Sequence, residues 1–156
     1  MIDSIVRTAG VDDARVVGQL LHDFNTEFGA STPPVAVLAE RIATLIAGGE
    51  TIVLVGGDAP DGLAVLRLRP AIWSGGLECY LAELYVVPAR RGRGLGRALL
   101  EAALREARVR GADTMEIGVD EPDDAARGLY ESLGFTNRAG GAEGPLMYLY
   151  ELDLRS

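Results

Sequence analysis

Residues Arg90-Arg91-Gly92-Arg93-Gly94-Leu95-Gly96 set three glycines at alternate positions among three arginines. Glycine opens backbone conformations closed to other residues and lets a ligand approach the main chain. Leu95, Leu99, Ala102 and Ala103 then recur at helical spacing, so this turn opens a helix. The first N–H groups of a helix lack intrahelical partners, and the helix dipole is positive there. A phosphate or pyrophosphate suits such a site, and the arginines add long-range attraction. The blander reading is a Gly-rich connection with solvated arginines, but a loop that only has to turn rarely carries so many of both.

Two phosphate motifs are excluded. A P-loop ends in Gly-Lys-Ser/Thr, and all fifteen basic residues here are arginine. The dinucleotide fingerprint G-x-G-x-x-G fails at Arg97 when counted from Gly92, and at Leu99 when counted from Gly94. Asp120 alone sustains a nucleotide-dependent oxidoreductase reading.

The surrounding elements read in order. Ile2–Arg7 is a short strand, and Asp12 or Asp13 caps a helix carrying Val17, Leu20, Leu21, Phe24 and Phe28. Thr32-Pro33-Pro34 starts a second helix that stops at Gly48-Gly49. Thr51–Val55 and Leu63–Arg69 are strands around a Gly/Asp/Pro turn, and a long apolar strand from Leu77 leads into the Arg-Gly turn. After the central helix, Met115, Ile117 and Val119 alternate as a strand, and Asp123 or Asp124 caps a last helix ending at Gly134. Ala139–Pro145 is a loop, and Leu146, Tyr148, Tyr150 and Leu152 alternate as a closing strand. The expectation is an α/β (α+β) domain over residues 1–156, with a mixed sheet and helices on both faces.

Arg91-x-x-Gly94-x-Gly96, behind a strand ending Leu84-Tyr85-Val86-Val87-Pro88, resembles the acetyl-CoA signature (Gln/Arg-x-x-Gly-x-Gly/Ala) of the GNAT superfamily of N-acetyltransferases. Ala125–Phe135, with Leu129-Tyr130-Glu131-Ser132-Leu133-Gly134-Phe135, resembles the same superfamily's later helix and its Leu-Tyr-x-x-Leu-Gly-Phe end. The resemblance implies six to seven strands, about four helices, and acetyl-CoA as co-substrate. It also implies that the backbone of Arg91, Gly92, Arg93, Gly94, Leu95 and Gly96, with Arg97, holds the pyrophosphate. Main-chain groups at Val86 and Val87 would pair with the pantetheine arm, and an N–H near Val86 would face the thioester oxygen. Tyr130 occupies the position whose phenol serves the leaving thiolate.

An amine of free pKa about 10.4 arrives protonated and needs a base. Glu83, on the strand before the motif, is the candidate, with Glu78 and Tyr80 as rivals. The superfamily's later helix often begins Asn-Pro, where this chain has Asp123-Asp124, and an ionised aspartate cannot donate a hydrogen bond. The acceptor side is implied to involve the first two helices, which bear His22, Phe24 and Glu27, while Arg67, Arg69 and Trp73 line either that site or a homodimer face.

Composition sets the outer bounds. The formal net charge of −8 argues against general nucleic-acid binding and favours a cationic acceptor. Dispersed apolar residues and no leader pattern give a cytoplasmic protein without membrane association as the default. One His and one Cys show no metal-ligand cluster, and Cys79 in an apolar strand reads as buried filler. Direct transfer in a ternary complex to a small-molecule or protein amine is therefore expected. A non-catalytic acyl-CoA sensor is the second class of function.

Overall fold

The computed structural model describes residues 5–155. The chain divides into two compact units, one up to Ile117 and one from Gly118 onward. The first contains β1 (Val6–Thr8), α1 (Ala14–Glu27), α2 (Val35–Gly48), β2 (Thr51–Gly56), β3 (Gly62–Pro70), β4 (Leu77–Val86), α3 (Leu95–Val109) and β5 (Ala112–Ile117). Ile2 to Ser4 of the expected first strand lie outside the described residues.

The sheet order is β1-β2-β3-β4-β5, antiparallel except for the parallel pair β4–β5. Parallel neighbours need a crossover, and α3 supplies it. Along β2 and β3 side chains alternate between faces. Val53, Val55, Leu63 and Val65 pack with Val17, Leu20 and Ile42 under α1 and α2. The opposite face meets α3, whose Leu95, Leu99, Leu100, Ala103 and Ala107 are all buried. This contact is close: a Cβ on Gly56 would come within 2.8 Å of Leu95, and one on Gly62 within 3.0 Å of Leu99. These two glycines are cross-strand partners, so α3 seats on a pair without side chains.

A β-bulge interrupts β4. Leu81 pairs with Leu66 and Glu83 with Val65, which makes Ala82 the extra residue. Simple alternation would place Cys79, Leu81, Glu83 and Tyr85 on one face. The inserted residue reverses the facing. Glu83 then shares the face of Val65, and Tyr85 joins the cluster under α1 and α2. The acid thus leaves the α3 core and faces α1 and α2.

The second unit contains α4 (Asp124–Ser132). As expected, Asp123 caps it, accepting a hydrogen bond from the Ala126 N–H at 3.1 Å. Two expectations are corrected. The sheet has five strands rather than six to seven, and Leu146–Leu152 forms no strand, only an isolated bridge between Arg138 and Leu146. Alternation marks a segment able to pair, but pairing needs a neighbouring strand edge. Tyr148, Tyr150 and Leu152 are all more than 70% exposed. At α1, Asp13 stands at the cap position without bonding the helix; it binds the Arg7 guanidinium and the Gly10 N–H instead.

Candidate active site

Three features of the first unit meet at the end of β4. The first is a released strand edge. Pairing with β5 ends at Leu81–Ile117, while β4 continues to Val86. The Val87 N–H donates to the Asp61 carbonyl at 2.8 Å, on the β3 side. Successive peptide groups of an extended chain face opposite ways, so the N–H and C=O of Val86 face the side vacated by β5. Arg91 Nε reaches the Val86 carbonyl there, at 2.9 Å. Val87 is committed within the chain, since its carbonyl accepts from the Arg90 N–H.

The second feature is the start of α3. Gly92 and Gly94 have φ of +77° and +87°, and a Cβ on either would meet nothing within 4 Å. Conformation rather than space therefore requires glycine at both positions. Gly94 is the N-cap, and no side chain caps the helix. The first intrahelical bond runs from Ala98 N–H to Gly94 C=O. The Leu95, Gly96 and Arg97 N–H groups therefore precede the intrahelical ladder, at the positive end of the dipole and with no acidic residue in the first turn. Arg90 and Arg93 line a shallow hollow of about 30 Å³ beside Leu95.

Arg91 is an anchor. Its guanidinium binds both Glu27 carboxylate oxygens, at 2.7 and 2.8 Å, and lies 5.7 Å from the centre of the Tyr85 ring. The Tyr85 hydroxyl donates to Glu27 at 3.0 Å, and Phe24 stacks on the Tyr85 ring at 4.7 Å. Arg91 holds Glu27 below the usual carboxylate range, and burial first, then Glu27, pushes Tyr85 up to about 12. The end of α1 is thereby fastened to the Arg-Gly turn. Glu27 and Phe24 belong to this brace and not to the acceptor side.

The third feature is a cavity of about 260 Å³ between α1, α2, β3 and β4. Glu83, Arg67, Arg41 and Asn25 line it, set among aliphatic walls that include Leu21, Ile42 and Val65. Burial raises the Glu83 pKa, and among the described residues no hydrogen bond or ion pair compensates it. Of its rivals, Glu78 is held by Arg69, and Tyr80 is 42% exposed, across the sheet from Arg67. Trp73 stands 97% exposed in the β3–β4 connection, and His22 lies 3.9 Å from Asp23.

Cys79 is 2% exposed, and burial pushes its thiol up to about 11, leaving roughly one thiolate in 10⁴ at pH 7. Burial and a raised pKa leave Cys79 poorly suited to act as an acyl acceptor. Cys79→Ala keeps turnover within about twofold, apart from any loss of fold, in a thiol-release assay corrected for folded protein.

In the second unit Tyr130 is buried, its ring centre 5.9 Å from that of Phe135. Burial first, then Asp123, pushes its phenol up to about 12.

The sequence profile of the acetyltransferase (GNAT) family matches residues 17–135, which include all three features and Tyr130. The chain belongs to this family. An Arthrobacter sp. FB24 protein, given the provisional name acetyltransferase, has a crystal structure that superposes with a TM-score of 0.85 at 50% identity, covering 95% of this chain and 96% of that one. A mycothiol acetyltransferase from Thermobispora bispora is 41% identical over 102 residues, 64% of this chain but only 29% of that protein. This GNAT chain thus spans well under half the length of that curated relative. An aminoglycoside acetyltransferase from an uncultured soil metagenomic sample, meta-AAC0020, shares the fold with a TM-score of 0.76 at 20% identity over 96% of each chain. Among the described residues no group of His, Cys, Asp or Glu could hold a metal ion, and no helix is long and apolar enough to cross a membrane.

Proposed function

We propose that this GNAT protein is an acetyl-CoA-dependent N-acetyltransferase, acting as one catalytic domain on a primary amine by direct attack in a ternary complex. One observation carries the reading. Within a single strand, β4 presents an outward N–H at Val86 and an uncompensated carboxylate at Glu83, and the turn over 87–94 leads from it to the start of α3, which no side chain caps. The names of the relatives support acetyl as the transferred group. Their acceptors are not carried over.

Acetyl-CoA, when bound, supplies the acyl thioester. The N–H groups at the start of α3, those of Leu95, Gly96 and Arg97, would receive the pyrophosphate, and Arg93 would add charge. The Val86 N–H is the donor for the thioester oxygen, where negative charge grows during attack. Glu83, with its raised pKa, is better matched to accept a proton from an amine near neutral pH than an ordinary carboxylate would be. A C–N bond forms, the C–S bond breaks, and the amine's surplus proton balances the departing thiolate.

Tyr130 is assigned to that departure on its motif position. A phenol at about 12 stays protonated across the working range. Full transfer to a thiolate of ordinary pKa, about 8.5, is uphill by several units. Its contribution is therefore a hydrogen bond donated to the developing thiolate. Tyr130→Phe lowers kcat by about 10- to 100-fold with little change in acetyl-CoA affinity, as read by steady-state kinetics and calorimetry; an unchanged kcat contradicts the role.

The reading as a whole is tested by acceptor-dependent release of CoA thiol over an amine library, with acetylated product confirmed by mass. Thiol release that no amine accelerates counts against it.

A further inference from the structure

The cavity beside Glu83 has an unusual charge content. The whole chain is strongly acidic, yet the lining of this cavity carries two arginines, Arg67 from β3 and Arg41 from α2, and one carboxylate. Neither Arg41 nor Arg67 has a hydrogen-bond or ion-pair partner among the described residues, and both are exposed; other arginines such as Arg15, Arg105 and Arg108 also show no acidic partner, but Arg41 and Arg67 are the two that line this cavity.

Their placement is specific. Arg67 lies two residues from Val65 on β3, on the same face, and Val65 is the cross-strand partner of Glu83. Arg41 comes from α2, next to Ile42, whose side chain is buried in the cluster under the same face. The carboxylate thus lies on the β4 wall, with guanidinium groups offered from the β3 strand and from the helix above it. Between them the lining is aliphatic. A guanidinium presents a planar fork of donors that matches a carboxylate bidentately, and it keeps its charge at every working pH.

We infer that the acceptor is a small amino acid or amino-acid-like zwitterion, its carboxylate received by Arg67 and Arg41 and its amine directed to Glu83. This rests on the acetyltransferase reading and deepens it. It narrows the expectation of a cationic acceptor drawn from net charge, because two guanidinium groups at this cavity disfavour a second ammonium. The cavity, of about 260 Å³, has room between its aliphatic walls for a compact apolar side chain. Asn25 supplies a neutral donor and acceptor on the α1 side.

The experiment compares leucine, methionine and phenylalanine with their carboxamides, and with spermidine, as acceptors for the full chain at pH 8. The amide amine is less basic and arrives more deprotonated, so a preference for the acid cannot come from basicity. The expected result is at least a tenfold higher kcat/KM for the acid than for its amide. Arg67→Gln and Arg41→Gln each shrink that ratio about tenfold, chiefly through the KM of the acid, and thermal melts verify folding. Amides or spermidine serving as well as the acids overturn the inference while leaving the acetyltransferase reading intact. Equal losses on acid and amide in both variants also overturn it, because the arginines then serve the fold. A chain that acetylates no amine of any class overturns both readings.

Discussion

Glu83→Gln lowers kcat/KM for acetyl transfer by about 10²–10⁴-fold, the range expected when a positioned general base is lost, while raising thermal stability at pH 8. The two effects have one physical origin. Burial raises the pKa of Glu83, and no partner offsets it. A group whose folded pKa is raised contributes stability that is present below its unfolded pKa, about 4.3, and lost as pH rises through the folded value. Ionised Glu83 therefore weighs against the fold at neutral and alkaline pH. Glutamine is neutral throughout and removes that burden. The gain in Tm is largest at pH 8 and vanishes near pH 4; each kcal/mol relieved corresponds to about 2–4 °C in a chain of this size. In the wild type, the acidic limb of kcat/KM lies above the ordinary carboxylate range and disappears in the variant. A Gln variant with activity within about threefold of wild type contradicts the assignment.

Gly94→Val weakens acetyl-CoA binding by tenfold or more. The site at φ +87° is open around a Cβ, which would meet nothing within 4 Å. The penalty is conformational, about 1–3 kcal/mol for a non-glycine residue held in the left-handed region, and larger for a β-branched one. The chain can bear that strain, with a Tm loss of several degrees, or relax φ to negative values. Relaxation turns the Leu95, Gly96 and Arg97 N–H groups away from their common direction. Calorimetric titration with acetyl-CoA reads the outcome, and Gly92→Val at φ +77° should behave alike. Wild-type affinity in both variants would mean that the turn does not hold the pyrophosphate.

These two residues show what the sequence made legible. Three glycines in seven residues declared the turn, because few other demands explain them. Glu83 was visible as an acid near the motif, but its facing was not. Alternation along Cys79, Leu81, Glu83 and Tyr85 gives one face, and only the extra residue at Ala82 divides them. A bulge shifts the alternation by one residue, here from Cys79 and Leu81 to Leu84 and Val86, and in a strand apolar on both faces that shift does not stand out. The brace between Glu27 and Arg91 joins residues 64 apart, and neither composition nor periodicity encodes that distance. It does show what the arginine at the head of the motif does in this chain: the Arg91 side chain faces backward, to the end of β4 and to α1. Arg41 was invisible for a simpler reason. On α2 it reads as a solvated helix charge, and only the packing of α2 over β3 brings it to the cavity. The closing segment Leu146–Leu152 shows the opposite failure, since a pattern fit for a strand has no paired strand within the described chain.

The most direct test of the central claim is a thermal-shift titration with acetyl-CoA, run beside NADH. A ligand at 100 times its Kd adds about 2.7 kcal/mol, which corresponds to a rise of about 5–10 °C here. The account predicts a saturable rise with acetyl-CoA, none with NADH, and a strongly weakened response in Gly94→Val. No rise with acetyl-CoA at millimolar concentration would contradict it.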